Sequence, residues 1–219
     1  MGQHRQPRLP FTANIVAKMC SALSKGIFTP FTDVLLQAVV SVAFIGFLRC
    51  GEFTTENAQF DKNVNLCLED VSFCSSDKVL LKLKTSKTDP LRKGTVLTLF
   101  KNNRFCPVTA LQQYIAARKR SNYHNGPSDP LFISEDGLPL TRACFLHLLR
   151  SLLNTIGVDA SKYSGRSFRI GAASSAAHAG IQDHMIKTLG RWTSDTYNRY
   201  IRVADDSIYG AQSALAYSM

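Results

Sequence analysis

The sequence predicts an α+β domain: a mainly helical body carrying a small three-stranded antiparallel sheet. Three observations lead there. Apolar residues recur at helical spacing before residue 50 and again after residue 107. Between Val64 and Phe100 they alternate with polar residues, as strands do. No internal repeat breaks the order of two helices, a sheet and five helices.

Residues 1–10 are polar, basic and rich in proline and glycine, and read as a tail or linker. Thr12 is placed to open a helix through Ile15, Val16, Met19 and Leu23 that Gly26 ends. A second helix is expected from Thr32 to Arg49, apolar on most faces and therefore buried. Three strands follow, marked by Leu66, Leu68 and Val71, by Val79, Leu81 and Leu83, and by Val96, Leu97 and Leu99. Ser75–Asp77 and Asp89–Gly94 are the turns between them. Pro107 suits a first helical position, and Arg118, Lys119 and Arg120 suit the C-terminal end of that helix. Thr141–Ile156, Ser167–Ala179, residues 182–189 and Ser194–Val203 read as four further helices. Gly157, Gly180 and Gly190 close the first three of these.

Charge narrows the partner. Lys plus Arg number 26 against 16 Asp plus Glu, a formal net charge of +10. Residues 78–104 hold eight of those bases and one acid, Asp89. A basic excess favours a polyanion, either nucleic acid or an anionic membrane surface. The longest apolar run, Val34–Leu48, is too short to span a bilayer and reads as a core helix. The six cysteines show no C-x-x-C pair and no zinc spacing, so reduced core thiols are expected, with no metal and no secretory signal.

Five segments stand in a fixed order. They are L-R-C-G-E at Leu48–Glu52, T-S-K-T-D at Thr85–Asp89, and S-G-R-S-F-R at Ser164–Arg169. L-G-R-W at Leu189–Trp192 and Y-N-R-Y at Tyr197–Tyr200 complete the set. Each alone is weak; together they resemble the tyrosine recombinases of the phage-integrase family, above all those encoded by eukaryotic mobile elements. The resemblance covers roughly residues 11–204, which would form the catalytic domain, with 205–219 as a C-terminal tail. It implies strand cleavage of double-stranded DNA by tyrosine attack on a phosphodiester. The product would be a 3′-phosphotyrosine and a free 5′-hydroxyl, with neither ATP nor a metal required.

The same resemblance assigns roles. Arg49 and Arg169 would clamp the non-bridging oxygens of the phosphorane, where two planar guanidiniums match the charge that develops. Glu52 would orient a guanidinium beside it, and Trp192 would support the site. Lys87 would protonate the leaving 5′-oxygen as general acid, with Lys84 as the fallback. The family spaces its nucleophile nine residues after the third position of Leu-Gly-x, which here runs from Arg191 to Tyr200. Tyr197 then packs. Arg191 would hydrogen-bond the phosphate, and Lys82, Lys84, Arg92 and Lys93 would lie along the DNA.

Two features depart from the family. Arg166 stands where most members carry the His of H-x-x-R, and a guanidinium cannot take up a proton. Only ten residues precede the catalytic-like region, so the usual helical core-binding domain is expected to be missing. Three other readings therefore stay open: a catalytically silent DNA-binding module, a type IB topoisomerase-like nicking-closing enzyme, and a basic scaffold without nucleic acid. The tail after Asp205, with Ile208, Tyr209 and Leu215, either docks on a neighbouring protomer to form a homo-oligomer on DNA or packs on its own domain. The expected location is the nucleus, or the cytoplasm for a prokaryotic source, with no membrane association.

Overall fold

Helix formation follows the caps in the sequence. The computed structural model describes residues 8–85, 94–121, 123–202, 208, 209 and 212. The Thr12 hydroxyl caps α1 (Ala13–Leu23) and Thr29 caps α2 (Pro30–Ile45), where Pro30 takes the first position. A four-residue α3 (Cys50–Phe53) precedes the strands β1 (Val71–Ser75), β2 (Lys78–Leu83) and β3 (Thr95–Phe100). Then come α4 (Pro107–Arg120), α5 (Arg142–Thr155), α6 (Ser167–His178), α7 (Asp183–Gly190) and a 3-10 turn over Asp195–Arg199. The sheet is antiparallel in the order β1-β2-β3, with Leu81 opposite both Val71 and Leu97. The α+β class is as the sequence predicts.

Helix α2 is the hub. Eleven of its sixteen residues are buried, and it packs against α1, α3, α4 and α6. The alternation of β2 and β3 turns Val79, Leu81, Leu83, Leu97 and Leu99 inward. Val96 and Phe100 stay exposed on the other face. Buried Arg118 ties the 124–131 loop by donating to the carbonyls of His124, Pro130 and Leu131. No helix of the described residues is long and apolar enough to cross a membrane. The cysteines are free; Cys20, Cys50 and Cys67 are buried, whereas Cys74 lies exposed on β1.

Four boundaries differ from expectation. The second helix stops at Ile45, not Arg49, because Gly46 and Phe47 turn the chain, with Phe47 at φ 50°. Leu66 and Leu68 are not strand: Cys67 pairs with Pro130 as an isolated bridge, and Leu68–Asp70 form a 3-10 turn. Gly190 is the last residue of α7 rather than the residue beyond it, and Arg191 takes the left-handed position at φ 56°. The last helix is only the 3-10 turn ending before Tyr200. The second turn of the sheet, apart from Gly94, lies outside the described residues.

The chain before α1 is part of this packing. Phe11 stacks on Tyr163 with ring centroids 4.7 Å apart, and its amide donates to Ser167 O at 3.0 Å. A Cβ added at Gly171 would lie 1.9 Å from Phe11 O. Gly171→Ala must push two backbones apart, at a cost of about 1–3 kcal/mol. Thermal unfolding should show Tm lowered by roughly 3–10 °C. Gly51→Ala, where a Cβ meets nothing within 4 Å, should leave Tm level or raise it.

Candidate active site

Two helix C termini meet in the centre of the domain. A helix end leaves carbonyls without partners inside the helix, and it carries partial negative charge. Helix α2 ends in a Schellman turn: Leu48 N donates to Ala43 O at 2.9 Å across left-handed Phe47. Helix α7 ends the same way, with Trp192 N donating to Lys187 O at 2.9 Å across left-handed Arg191. Glycine usually fills that position, since other residues are strained there by about 1–3 kcal/mol. Phe47 and Arg191 are the two positive-φ residues other than glycine among the described residues, and both lie here.

Arginines answer the exposed carbonyls. Arg169, in the first turn of α6 and 2% exposed, donates through Nη1 to Phe47 O at 2.7 Å and through Nη2 to Gly190 O. Arg191 donates through Nη1 to Gly46 O at 2.8 Å and through Nη2 to Phe47 O at 3.3 Å. A single carboxylate completes the arrangement. Glu52 Oε1 accepts from Arg49 Nη1 at 2.8 Å, and Oε2 accepts from Arg191 Nη2 and from the Arg49 amide, each at 2.8 Å. Arg49 is the N-cap residue of α3, which is why Glu52 can reach back to its amide.

Positive charge predominates among the described residues of the site. Three guanidiniums surround one carboxylate. Burial, with Arg49 and Arg191 close by, lowers Arg169 to about 9, so it remains a cation at neutral pH. Burial likewise lowers Arg191, against the pull of Glu52. Arg169 packs on π faces instead of a carboxylate: its Cζ lies 4.2 Å from the Trp192 ring centroid and 5.7 Å from that of Tyr200. The Nε atoms of Arg169 and Arg191 are buried without a hydrogen-bond partner among the described residues. A site with surplus buried cations and unpaired donors suits an oxyanion.

The two tyrosines differ. Tyr197 is buried, and its hydrogen bond to the Asp183 carboxylate, with burial, raises it to about 12. Tyr200 is half-buried, with its ring 5.2 Å from Trp192, and its carbonyl accepts from the Ser174 hydroxyl at 3.1 Å. Of the pair, Tyr200 stands beside Arg169.

The remaining residues divide into three groups. Arg166 is exposed at the N terminus of α6, with no side-chain hydrogen bond or ion pair to a described residue. Lys82 is exposed on the outer sheet face, opposite Val96. Lys84, expected along the DNA, turns inward instead: its Nζ lies 2.9 Å from Asp70 Oδ2 and donates to Lys62 O at 2.7 Å and to Cys67 Sγ at 2.9 Å. Lys87, Arg92 and Lys93 lie outside the described residues, as does Leu215 of the tail. Ile208 and Tyr209 are exposed. Sequence reasoning missed the carbonyls of Gly46, Phe47 and Gly190, because nothing in a residue's type marks it for the left-handed position when it is not glycine. The Gly-Arg-Trp run did hold a signal: a Cβ on Gly190 would lie 1.6 Å from Trp192 Cζ3.

The fold has solved counterparts. XerA recombinase superposes with a TM-score of 0.70 at 19% identity, over 98% of this chain and 67% of that one. XerH site-specific recombinase bound to its palindromic difH substrate, in a post-cleavage complex, gives 0.71 at 15% identity, over 99% and 56%. The Tn1549 transposon integrase in complex with circular intermediate DNA gives 0.58 at 14%, over 97% and 67%. At these identities the likeness establishes the tyrosine recombinase catalytic fold, and the chain spans between 56% and 67% of the length of these proteins. No family model and no curated protein matches the sequence.

Trp192 is the only tryptophan in the chain, so its emission reports on this site alone. Gly190→Ala should force the indole off Arg169 and shift its emission to longer wavelength in the folded protein. Gly51→Ala should leave the spectrum unchanged.

Proposed function

We propose that this chain is the catalytic domain of a tyrosine recombinase that cuts and rejoins double-stranded DNA through Tyr200. The observation that carries the reading is the gathering of three guanidiniums, Arg49 and Arg191 on the Glu52 carboxylate and Arg169 on the carbonyls of Phe47 and Gly190, with the Tyr200 ring 5.7 Å from the Arg169 guanidinium. Such a cluster lowers the energy of an anionic phosphorane more than that of the diester, which is what accelerates the step. The phenolic oxygen of Tyr200 attacks phosphorus, the bond to the 5′-oxygen breaks, and a proton must reach that oxygen. Lys87 is the proposed donor, and the phenolic proton of Tyr200 passes to water as its oxygen bonds to phosphorus. Rejoining reverses each step, so phosphodiester energy is conserved. Arg49 and Arg169 are the phosphate clamp, and Arg166 reaches it from the surface. Lys82, Arg92 and Lys93 are proposed to follow the backbone, with phosphate contacts setting register rather than sequence. Kinship with recombinases of eukaryotic mobile elements, and assembly on DNA through the tail, belong to the same proposal.

One observation favours a second reading, a DNA-binding module without catalysis. Arg166 offers a permanent charge where the family's imidazole can exchange a proton. A nicked suicide duplex separates the two, because the cleaved end is lost and the covalent adduct accumulates on a denaturing gel. The recombinase reading expects an adduct that Tyr200→Phe abolishes and Tyr197→Phe retains. An adduct only from Arg166→His would mean a scaffold disabled at one residue. No adduct from any version, with DNA binding retained, would establish the silent module.

A further inference from the structure

We infer that Arg191 is a positioning residue, not a phosphate ligand: paired with Glu52, it fixes the turn whose carbonyls hold Arg169. The inference rests on the recombinase reading of the site.

Both Nη groups of Arg191 are already engaged within the protein. Nη1 is bonded to Gly46 O at 2.8 Å, and Nη2 to Glu52 Oε2 at 2.8 Å and Phe47 O at 3.3 Å. Its side chain is 8% exposed and the Glu52 side chain 6%. Arg191 is therefore a buried, neutralised half of an ion pair. Arg49 shares the same carboxylate but keeps 23% of its side chain exposed. Arg169 is buried too, yet faces carbonyls and rings rather than a carboxylate among the described residues, so its charge is left for an anion.

Position explains what Arg191 does. Its left-handed backbone ends α7, while its side chain reaches the end of α2 and, through Glu52, the start of α3. Phe47 O accepts from both Arg191 Nη2 and Arg169 Nη1. Removing Arg191 unties Glu52, still held by Arg49, from the turn after α2, which loosens the Phe47 turn and so shifts the acceptor that aims Arg169. Lysine could keep the ion pair but cannot span two carbonyls and a carboxylate in one plane.

Two measurements on the full chain test this. The first is duplex affinity across salt, where each lost phosphate contact makes the slope of log K against log salt shallower by about 0.9. Arg49→Ala should show that change, and Arg191→Ala should not. The second is the single-turnover rate of adduct formation on suicide DNA carrying either the normal scissile phosphodiester or an uncharged methylphosphonate. Arg49→Ala should be strongly impaired on the first and relieved on the second, since the charge it neutralises is gone. Arg191→Ala should be slowed on both alike, by about 10²-fold. Arg191→Lys should recover part of that rate, which a loss of folding alone would not allow. The double variant with Glu52→Gln should be no slower than Arg191→Ala. A shallower salt slope for Arg191→Ala, or its relief by methylphosphonate, would overturn the assignment. If Arg191→Ala does not fold, Arg191→Lys and Glu52→Gln decide by the same slope and the same substrate pair. A wild-type chain that binds DNA but forms no adduct removes the transesterification reading, while the salt slopes still decide Arg191. One that binds no duplex overturns both.

Discussion

Helix C termini repel one another, because each ends in carbonyls that lack partners and carries partial negative charge. In this fold the ends of α2 and α7 face the same space, and the guanidinium of Arg169 sits between Phe47 O and Gly190 O. Much else follows from that bridge. The two left-handed residues aim the carbonyls inward. Trp192, leaving the second turn, covers the guanidinium, and Tyr200 lies across Trp192. Arg191 and Glu52 tie the two turns to α3, so that Arg49 joins the same cluster. A position on α6, a turn after α2 and a turn after α7 are thereby held together across more than 120 residues of chain.

The arrangement is stable but electrostatically unfinished. Removing an ion from water costs several kcal/mol even after relaxation, and is tolerated only when partners replace the lost hydration. Glu52 and three carbonyls replace part of it. Among the described residues three guanidiniums gather about one carboxylate, and Arg169 is answered by carbonyls and rings alone. Core packing can hold such a cluster in place, and an anion suits it. A phosphodiester gaining a second charge on the way to a phosphorane fits that demand better than a neutral ligand would.

Much of the fold was legible in the sequence because its signals are local. Thr12 and Pro107 mark helix starts where the structure has them, and the alternation at Val79–Leu83 and Leu97–Leu99 gives strands with those leucines and Val79 inside. The failures are equally physical. Leu66 and Leu68 alternate like a strand, yet Asp70 accepts from the Cys67 amide at 2.8 Å and winds the chain into a turn. Lys84 reads as a solvent-facing base in a basic hairpin, and only the three-dimensional approach of Asp70 turns it inward. At the site, the order of the motifs singled out Arg49, Glu52, Arg169, Arg191 and Tyr200, and the structure brings these residues close to one another. It did not reveal that backbone carbonyls would be their partners, since a carbonyl is common to every residue and only its direction makes it special.

We propose that Arg49 and Arg169 receive a phosphoryl group delivered beside Tyr200. The most direct test is a crystal structure of the chain with nicked duplex DNA and orthovanadate, which assembles a trigonal-bipyramidal mimic of the phosphorane. Vanadium is expected bonded to the Tyr200 phenolic oxygen, with Arg49 and Arg169 on its equatorial oxygens and Glu52 still on Arg191. Vanadate bonded at Tyr197, or an oxyanion held away from both arginines, would contradict it.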